Sequence, residues 1–157
     1  MSVINEMTTA RIYVDQNITI QVANHVLNTW ERHRQTDWKT EAFGVLMGAY
    51  DPLNNILFIT ECTEPMNEDE SHTYNFKMLD KGHSVAVKEL FYETDGYQNY
   101  VGTWHTHPEA RPRPSDMDKK DWRRAIANNP PIPQFLFVIV GTKEIAFFPK
   151  KHTKGIR

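Results

Sequence analysis

Cysteine is almost absent from this chain, which contains a single one, Cys62, among 157 residues. One thiol can form no intramolecular disulfide, and it excludes metal sites that need several thiolates. Cys62 lies in a strand-like apolar run, where packing in the core is its expected role. A chain without a disulfide framework is typical of the reducing cytoplasm.

Long hydrophobic runs are also absent. The longest unbroken apolar run, from Phe135 to Val140, is far shorter than the ~20 residues that cross a bilayer as a helix. Residues 1–10 lack the apolar stretch of a secretory signal. Together with the lone cysteine, these features predict a cytoplasmic protein without a membrane partner.

The sequence carries little net charge: 18 Lys and Arg residues stand against 20 Asp and Glu residues, which leaves a formal charge of −2. No broad basic excess is available to follow a phosphate backbone, so a nucleic-acid partner is not expected. The chain has no repeat, no low-complexity segment and no dividing linker. Its length therefore predicts one domain over residues 1–157, with a core at about 11–148 between short polar tails.

Apolar residues are present in two spacings, one typical of helices and one typical of strands. The helical spacing covers residues 21–35, 78–94 and 115–127. Strand-like runs cover residues 11–20, 43–50, 56–62, 100–107, 135–140 and 144–148. Because the two kinds of element alternate, with hairpins at both ends of the chain, the sequence predicts an α/β domain with a mixed central sheet and about three flanking helices.

The most informative segment is the end of the strand at 100–107, which contains His105 and His107. Residues two apart on a strand point to the same face, so both imidazoles can reach one metal ion. Asp118, in the first turn of the following helix, is well placed as a third ligand. Two histidines and one carboxylate leave a fourth position open, which is a property of catalytic rather than structural zinc sites.

Each of these residues also has an explanation that needs no metal. A histidine pair with one residue between its members arises by chance in many sequences. Ser115 and Asp118 have the spacing of a helix N-cap and its N3 residue, and this role is compatible with metal binding because a cap would fix the direction of the carboxylate. Glu41, at a strand entrance, would on its own be taken for a solvated glutamate.

In combination, these residues resemble a known family, the JAMM (JAB1/MPN/Mov34) metalloproteases. The pattern consists of His105-x-His107, seven intervening residues, Ser115-x-x-Asp118, and an upstream Glu41 before an apolar, glycine-containing strand. The resemblance covers nearly the whole chain. Within the family, the stretch Gly-Thr-Trp-His-Thr-His-Pro around both histidines is similar to prokaryotic JAB-domain proteins, and in particular to the deconjugating isopeptidases of bacterial CBASS antiphage operons.

The resemblance implies a JAB/MPN-like fold, related to that of the cytidine deaminases, and a set of residue roles. His105, His107 and Asp118 would bind Zn2+, which lowers the pKa of a bound water towards ~7. Glu41 would take the proton of this water and pass it to the leaving amine, and Ser115 would donate a hydrogen bond to the oxyanion. The reaction implied is hydrolysis of the amide between a protein C-terminus and a target lysine.

The resemblance also implies a protein substrate with an extended C-terminal tail, which would lie as a strand along the catalytic groove. In the CBASS case the tail belongs to a cGAS-like nucleotidyltransferase that an E1–E2-like enzyme has conjugated, and its release serves antiviral defence. The alternative is trimming of a ubiquitin-like or sulfur-carrier precursor by the same site. A non-catalytic scaffold is a third alternative, although scaffolds show substitutions at the ligand or glutamate positions and this chain has none.

Other zinc enzymes fit the sequence less well. Cytidine deaminases need a Pro-Cys-x-x-Cys motif together with a His-x-Glu, and with Cys62 as its single cysteine this chain cannot supply the cysteine pair. A metallo-β-lactamase site would continue the histidine pair with Asp and a further His, but Glu109 and Ala110 follow it. Among the other histidines, His72 is the one we expect near a substrate groove. Trp104 faces away from the predicted ligands, so its expected role is core packing.

Overall fold

The fold is built on a mixed β-sheet of seven strands. The structure, a computed structural model, describes residues 10–15, 17–36, 39–129 and 132–152. In chain order the elements are β1 (Ala10–Asp15), β2 (Ile18–Ala23), α1 (Asn24–Arg32), β3 (Phe43–Asp51), β4 (Ile56–Cys62), β5 (Glu70–Ser71), β6 (Phe76–Lys77), α2 (Gly82–Glu93), β7 (Asn99–Thr106), α3 (Asp116–Asn128), β8 (Gln134–Val140) and β9 (Ile145–Lys151). The predicted mixed sheet with three helices is confirmed for these residues. None of the helices described is long and apolar enough to cross a membrane.

The order of the strands brings two distant segments of the predicted site together. Across the main sheet the order is β1-β2-β4-β3-β7-β8-β9, while β5 and β6 form a small separate sheet. β3 pairs antiparallel with β7, and β7 pairs parallel with β8 through the crossover that contains α3. The start of β3 therefore lies beside the end of β7, with Phe43 opposite His105.

The core lies on both faces of the sheet, and β8 contributes to both. Alternate residues of β8 belong to two clusters: Leu136, Val138 and Val140 to one, and Phe135, Phe137 and Ile139 to the other. The first cluster includes Trp30 of α1, and the second includes Trp122 of α3. A strand that is covered on both faces has no polar side, which explains the unbroken apolar run of its sequence.

The predicted start of the first helix was wrong. The sequence predicts one strand at 11–20 and a helix from Gln21, whereas the structure has a β1–β2 hairpin and begins α1 at Asn24. Val22 is still part of strand β2, where it pairs with Ile59 of β4. Because pairing with two neighbouring strands satisfies the backbone there, it overrides the helical spacing of the apolar side chains.

Three further boundaries differ from the prediction. The second helix begins at Gly82 rather than at residue 78, because Asp69 accepts hydrogen bonds from the backbone N–H groups of Leu79 and Asp80 and holds them outside the helix. The loop predicted at 64–73 contains β5. The last strand continues to Lys151, so Lys150 and Lys151 belong to the sheet rather than to the polar tail predicted after residue 148. The remainder of that predicted tail, residues 153–157, lies outside the described residues.

Candidate metal centre

The two histidines of the predicted site lie together at the carboxyl end of β7. His105 is the second-last residue of the strand, and His107 follows its end. Their Nε2 atoms are 3.1 Å apart. Trp104 points to the opposite face, where it is fully buried and donates its indole N–H to the Thr63 carbonyl at 2.8 Å. The predicted core role of Trp104 is therefore confirmed.

Asp118 completes a group of three possible ligands. Its Oδ1 is 3.3 Å from His105 Nε2, and its Oδ2 is 3.2 Å from His107 Nε2. All three residues are buried, and their ligand atoms lie within 4.8 Å of one another. Ligand atoms at ~2.0–2.1 Å from a tetrahedral zinc ion are separated from each other by ~3.3 Å. The residues present therefore fit a zinc ion, and three ligands leave its fourth position open.

The N-terminus of α3 holds Asp118 in place. Ser115 is the N-cap: its Oγ accepts a hydrogen bond from the Asp118 N–H at 3.0 Å, and Asp118 Oδ2 accepts one from the Ser115 N–H at 2.9 Å. The capping role predicted for the pair is thus confirmed, and it directs the carboxylate toward the histidines. Since Ser115 Oγ is the acceptor in this cap, its own proton stays free for another partner.

The electrostatics of the group reflect its burial. Burial lowers the pKa of His105 below its ordinary value, which favours the neutral imidazole that metals bind. Burial alone would raise the pKa of Asp118, but hydrogen bonds to His105 and His107 outweigh it and hold that pKa well below its usual range. For His107, burial lowers the pKa, whereas Asp118 and Glu109 raise it and prevail. The carboxylate is therefore ionised, as a ligand must be.

Glu41 lies beside this group and is almost fully buried, with 4% of its surface exposed. The next residue, Ala42, exchanges two hydrogen bonds of 2.9 Å with Thr106, the residue between the two histidines. Burial raises the pKa of Glu41 to about 8, with the charge of His107 opposing this rise and that of Asp118 adding to it. The alternative of a solvated glutamate at the strand entrance is therefore wrong.

Thr106 is the centre of a buried polar network behind the three possible ligands. Its hydroxyl accepts from the Ala42 N–H and donates to Gln35 Oε1, at 2.9 Å in each case. Gln35 Nε2 donates in turn to the carbonyls of Lys39 and Thr73, at 3.1 and 3.0 Å. Sequence reasoning missed this network because Gln35 and Thr106 are 71 residues apart and no motif joins them.

Comparison with known proteins assigns the chain to a family. A family model described as prokaryotic homologs of the JAB domain matches residues 23–150. This chain is a prokaryotic JAB-domain protein. The resemblance stated from the His, Ser, Asp and Glu pattern is thereby confirmed at the level of the family.

The chain is also similar to curated relatives in sequence and to a solved structure in fold. The JAB-domain chain is 32% identical over 127 residues to a protein of Escherichia coli (strain TW11681) named CD-NTase/cGAS isopeptidase, covering 80% of this chain and 78% of the relative. A protein of the same name from Vibrio cholerae serotype O1 is 31% identical over 131 residues, covering 83% and 81%. The solution structure of DSY2949 from Desulfitobacterium hafniense, at 18% identity, covers 83% of this chain and 82% of that one with a TM-score of 0.56, which supports the fold.

The β5–β6 hairpin closes over the Glu41 side of the JAB-domain site. Ser71 Oγ donates a hydrogen bond to the Glu41 carbonyl, and the Glu41 N–H donates to the His72 carbonyl at 2.8 Å. The Phe76 ring lies 5.3 Å from the His105 ring. His72 is an exposed residue, and its contact with Glu41 is made by its backbone carbonyl. The hairpin thus fixes the backbone from which the Glu41 side chain extends.

A cleft of about 480 Å³ leads to the JAB-domain site. His105 and Asp118 line it, together with Phe76 and Met78 on the hairpin side and Trp122 of α3. Two of the three possible ligands, His105 and Asp118, are therefore accessible from the cleft.

Sequence reasoning used Glu109 only to exclude another class of site, but the structure places it in contact with His107, one of the three possible ligands. Its Oε1 lies 3.1 Å from His107 Nδ1, the nitrogen that faces away from the other possible ligands. A carboxylate in this position selects the tautomer of a ligating histidine and orients its ring. A glutamate two residues after a histidine is too common a pattern to signal this contact.

Cys62 has no part in the site. It is half-buried and packs against the core cluster of α1 and the sheet. Burial, together with the neighbouring charges of Glu64 and Glu61, raises the pKa of its thiol to about 12. The thiol stays protonated at neutral pH, which agrees with the packing role expected from sequence.

Proposed function

We propose that this JAB-domain protein is a zinc-dependent isopeptidase, which hydrolyses the amide between a protein C-terminus and a lysine side chain. The observation that carries the proposal is the buried group of His105, His107 and Asp118, with Glu41 beside it and an open cleft leading to it. The isopeptidase names of relatives that are 31% and 32% identical support amide hydrolysis as the reaction.

The residues of the site have complementary tasks in this reaction. Zinc held by His105, His107 and Asp118 would act as a Lewis acid and lower the pKa of water in the site. Glu41 in its ionised form accepts a proton from the attacking water and delivers it to the leaving lysine nitrogen. Burial raises its pKa to about 8, and the positive charge of zinc in the site would favour the ionised form. The free Ser115 hydroxyl donates to the oxygen that becomes negatively charged. Water is consumed, and the products are a C-terminal carboxylate and a lysine amine.

The proposed substrate is the C-terminal tail of a cGAS-like nucleotidyltransferase, joined to target proteins by an E1–E2-like enzyme in antiviral defence. Two observations support it: the names of the relatives, and the match over 78% and 81% of their lengths. The tail would lie extended in the 480 Å³ cleft. The rival substrate, a ubiquitin-like or sulfur-carrier precursor, would use the same residues, with a backbone amide in place of the lysine amide.

Cleavage of a defined conjugate tests the proposal. The purified protein is incubated with a nucleotidyltransferase tail linked to a lysine peptide, with and without a chelator, and the released ends are identified by mass spectrometry. We expect a free C-terminal carboxylate, loss of cleavage with chelator, and recovery when zinc is added back. Cleavage that is unaffected by the chelator contradicts zinc dependence. Faster cleavage of a linear precursor than of the conjugate favours trimming, and a wild-type protein that binds no zinc favours a scaffold.

Substitution of Thr106 by valine should slow cleavage without removing zinc. Valine keeps the shape of threonine but loses both hydrogen bonds, so the Ala42 N–H and Gln35 lose their partner and the segment of Glu41 can shift. A misplacement of about 1 Å costs up to ~100-fold in rate, so we expect kcat to fall between about tenfold and 100-fold with little change in KM. Steady-state kinetics and zinc content measure the effect.

Two further variants separate positioning from stability. Thr106→Ser restores the hydroxyl and should recover most of kcat. Thr60→Val removes another buried threonine hydroxyl, which contacts Gln98 and the Met47 carbonyl in the β3–β4 region. We expect Thr60→Val to lower the stability of the protein by about 1–3 kcal/mol, and we expect a similar loss for Thr106→Val. Thr60→Val should nevertheless leave kcat unchanged. Equal kinetic effects of the two valine variants would show that Thr106 acts only through stability.

A further inference from the structure

A second concave surface lies between α3 and β9. It has a volume of about 530 Å³ and an apolar floor of Trp122, Ile126 and Phe148. Four cationic residues surround this floor: Lys119 and Arg123 of α3, and Lys150 and Lys151 of β9. We call this surface the α3–β9 groove.

The positive charge of the α3–β9 groove is not neutralised within the described part of the chain. None of its four cationic side chains has a carboxylate within 4.0 Å there, and no Asp or Glu lines the groove. Four arginines elsewhere do pair with carboxylates: Arg32, Arg34, Arg111 and Arg124. Like charges around one concavity repel each other and attract a partner of opposite charge. Because the whole chain has a net charge of −2, this excess of positive charge is confined to the groove.

The apolar floor indicates which kind of anionic partner fits. The Trp122 ring packs against Phe137 and Phe148, with ring centroids 5.1 Å apart in each pair. Its faces are therefore engaged within the protein and are a poor platform for stacking nucleic-acid bases. A large apolar side chain can instead cover the exposed part of the floor while neighbouring carboxylates reach the rim. This combination favours an acidic protein segment over a nucleic acid.

The segment that follows β9 does not complement the groove. Residues 153–157 contain Lys154 and Arg157 and no Asp or Glu. Their side chains would add to the positive charge rather than neutralise it, so these residues do not match the charge of the groove.

We propose that the α3–β9 groove binds an acidic protein segment that presents one large apolar side chain between carboxylates. The groove shares Trp122 with the cleft described above but contains none of the three possible ligands, and the proposal does not depend on the proposed isopeptidase activity. Asp118 and Lys119 are consecutive on α3, so a partner in the groove would contact the helix that carries the third possible ligand. Docking there would hold a protein beside the cleft and raise its local concentration.

Binding of a designed peptide tests the proposal. The probe is a fluorescein-labelled peptide of sequence Asp-Glu-Asp-Phe-Glu-Asp-Glu, followed by anisotropy at low salt with the full chain. We expect saturable binding that weakens with added salt and when the phenylalanine of the peptide is replaced by alanine. Combining Lys119→Glu with Arg123→Glu should weaken binding by at least about tenfold, since like charges then face each other.

Lys120→Glu is the matched control, because Lys120 is the next residue of the same helix, is exposed, and does not line the groove. It should change the affinity by less than about twofold. If the double variant fails to fold, Lys150→Glu against Lys143→Glu makes the same comparison on and near β9. Thermal unfolding verifies that the variants compared are folded.

Four results would overturn the proposal. The first is the absence of saturable peptide binding, and the second is an equal loss of affinity in Lys120→Glu, which would indicate diffuse surface charge. The third is preferential binding of a single-stranded oligonucleotide that the double variant abolishes. The fourth is self-association of the protein that Lys119→Glu removes and the peptide cannot displace, which would assign the groove to a second copy of the chain. Loss of isopeptidase activity in a Glu41 variant with intact peptide binding leaves the proposal standing.

Discussion

Replacement of Glu41 by glutamine is expected to abolish amide cleavage while the protein stays folded and retains zinc. Glutamine has the size of glutamate but cannot accept the proton of the attacking water, and the loss of a general base typically costs about 10²–10⁴-fold in kcat. Glu41 is buried and its pKa is raised to about 8, so a neutral amide removes a desolvated carboxyl group. We therefore expect a thermal midpoint equal to or above that of the wild type.

The Glu41 prediction is measured by single-turnover cleavage of the lysine conjugate, together with zinc content and thermal unfolding. Glu70→Gln is the control, because Glu70 is exposed on the neighbouring hairpin and should tolerate the same chemical change. Glu41→Asp keeps a carboxylate but withdraws it by one methylene, so its rate should fall between those of the wild type and the glutamine variant. Unchanged turnover in Glu41→Gln would remove Glu41 from the proposed mechanism. Loss of zinc would assign it to the metal site instead.

Replacement of Asp118 by alanine is expected to weaken zinc binding and to stop cleavage. The variant leaves His105 and His107 as two ligands, and even loss of an outer contact to a ligand typically costs about 10–100-fold in metal affinity. The same change removes one half of the capping box with Ser115 and should lower the stability of the metal-free protein by about 1 kcal/mol. Elemental analysis measures the zinc content, and titration against a competing chelator measures the zinc affinity. Thermal unfolding of the metal-free protein measures the stability lost with the cap.

Asp116→Ala provides the matched control for Asp118. Asp116 is an exposed aspartate in the same first turn of α3, so its loss tests the favourable interaction of negative charge with the helix N-terminus. This variant should keep its zinc and lose no more than about 1 kcal/mol of stability. Zinc content in Asp118→Ala equal to that of the wild type would contradict a ligand role. In that case the capping function would be sufficient to explain the residue.

The parts of the structure that could be predicted from sequence are those encoded by residues close together in the chain. The Ser115–Asp118 cap follows from a four-residue pattern, and β8 follows from one apolar run. The start of α1 was mispredicted because Val22 is held by a strand, β4, that lies over thirty residues away and pairs it with Ile59. Local periodicity contains no information on such pairing, and pairing prevails because it satisfies the backbone hydrogen bonds.

For the candidate site, sequence by itself determined the family, because the types of the patterned residues and their spacing along the chain are sufficient to recognise it. Only the tertiary structure decided the surroundings that give those residues their chemistry. The burial of Glu41, the Thr106–Gln35 network and the contact of Glu109 with His107 depend on segments that meet only when β3, β7 and the β5–β6 hairpin come together. The α3–β9 groove belongs to the same category: its four cations are dispersed in the sequence, and folding collects them around one apolar floor, where their charges add.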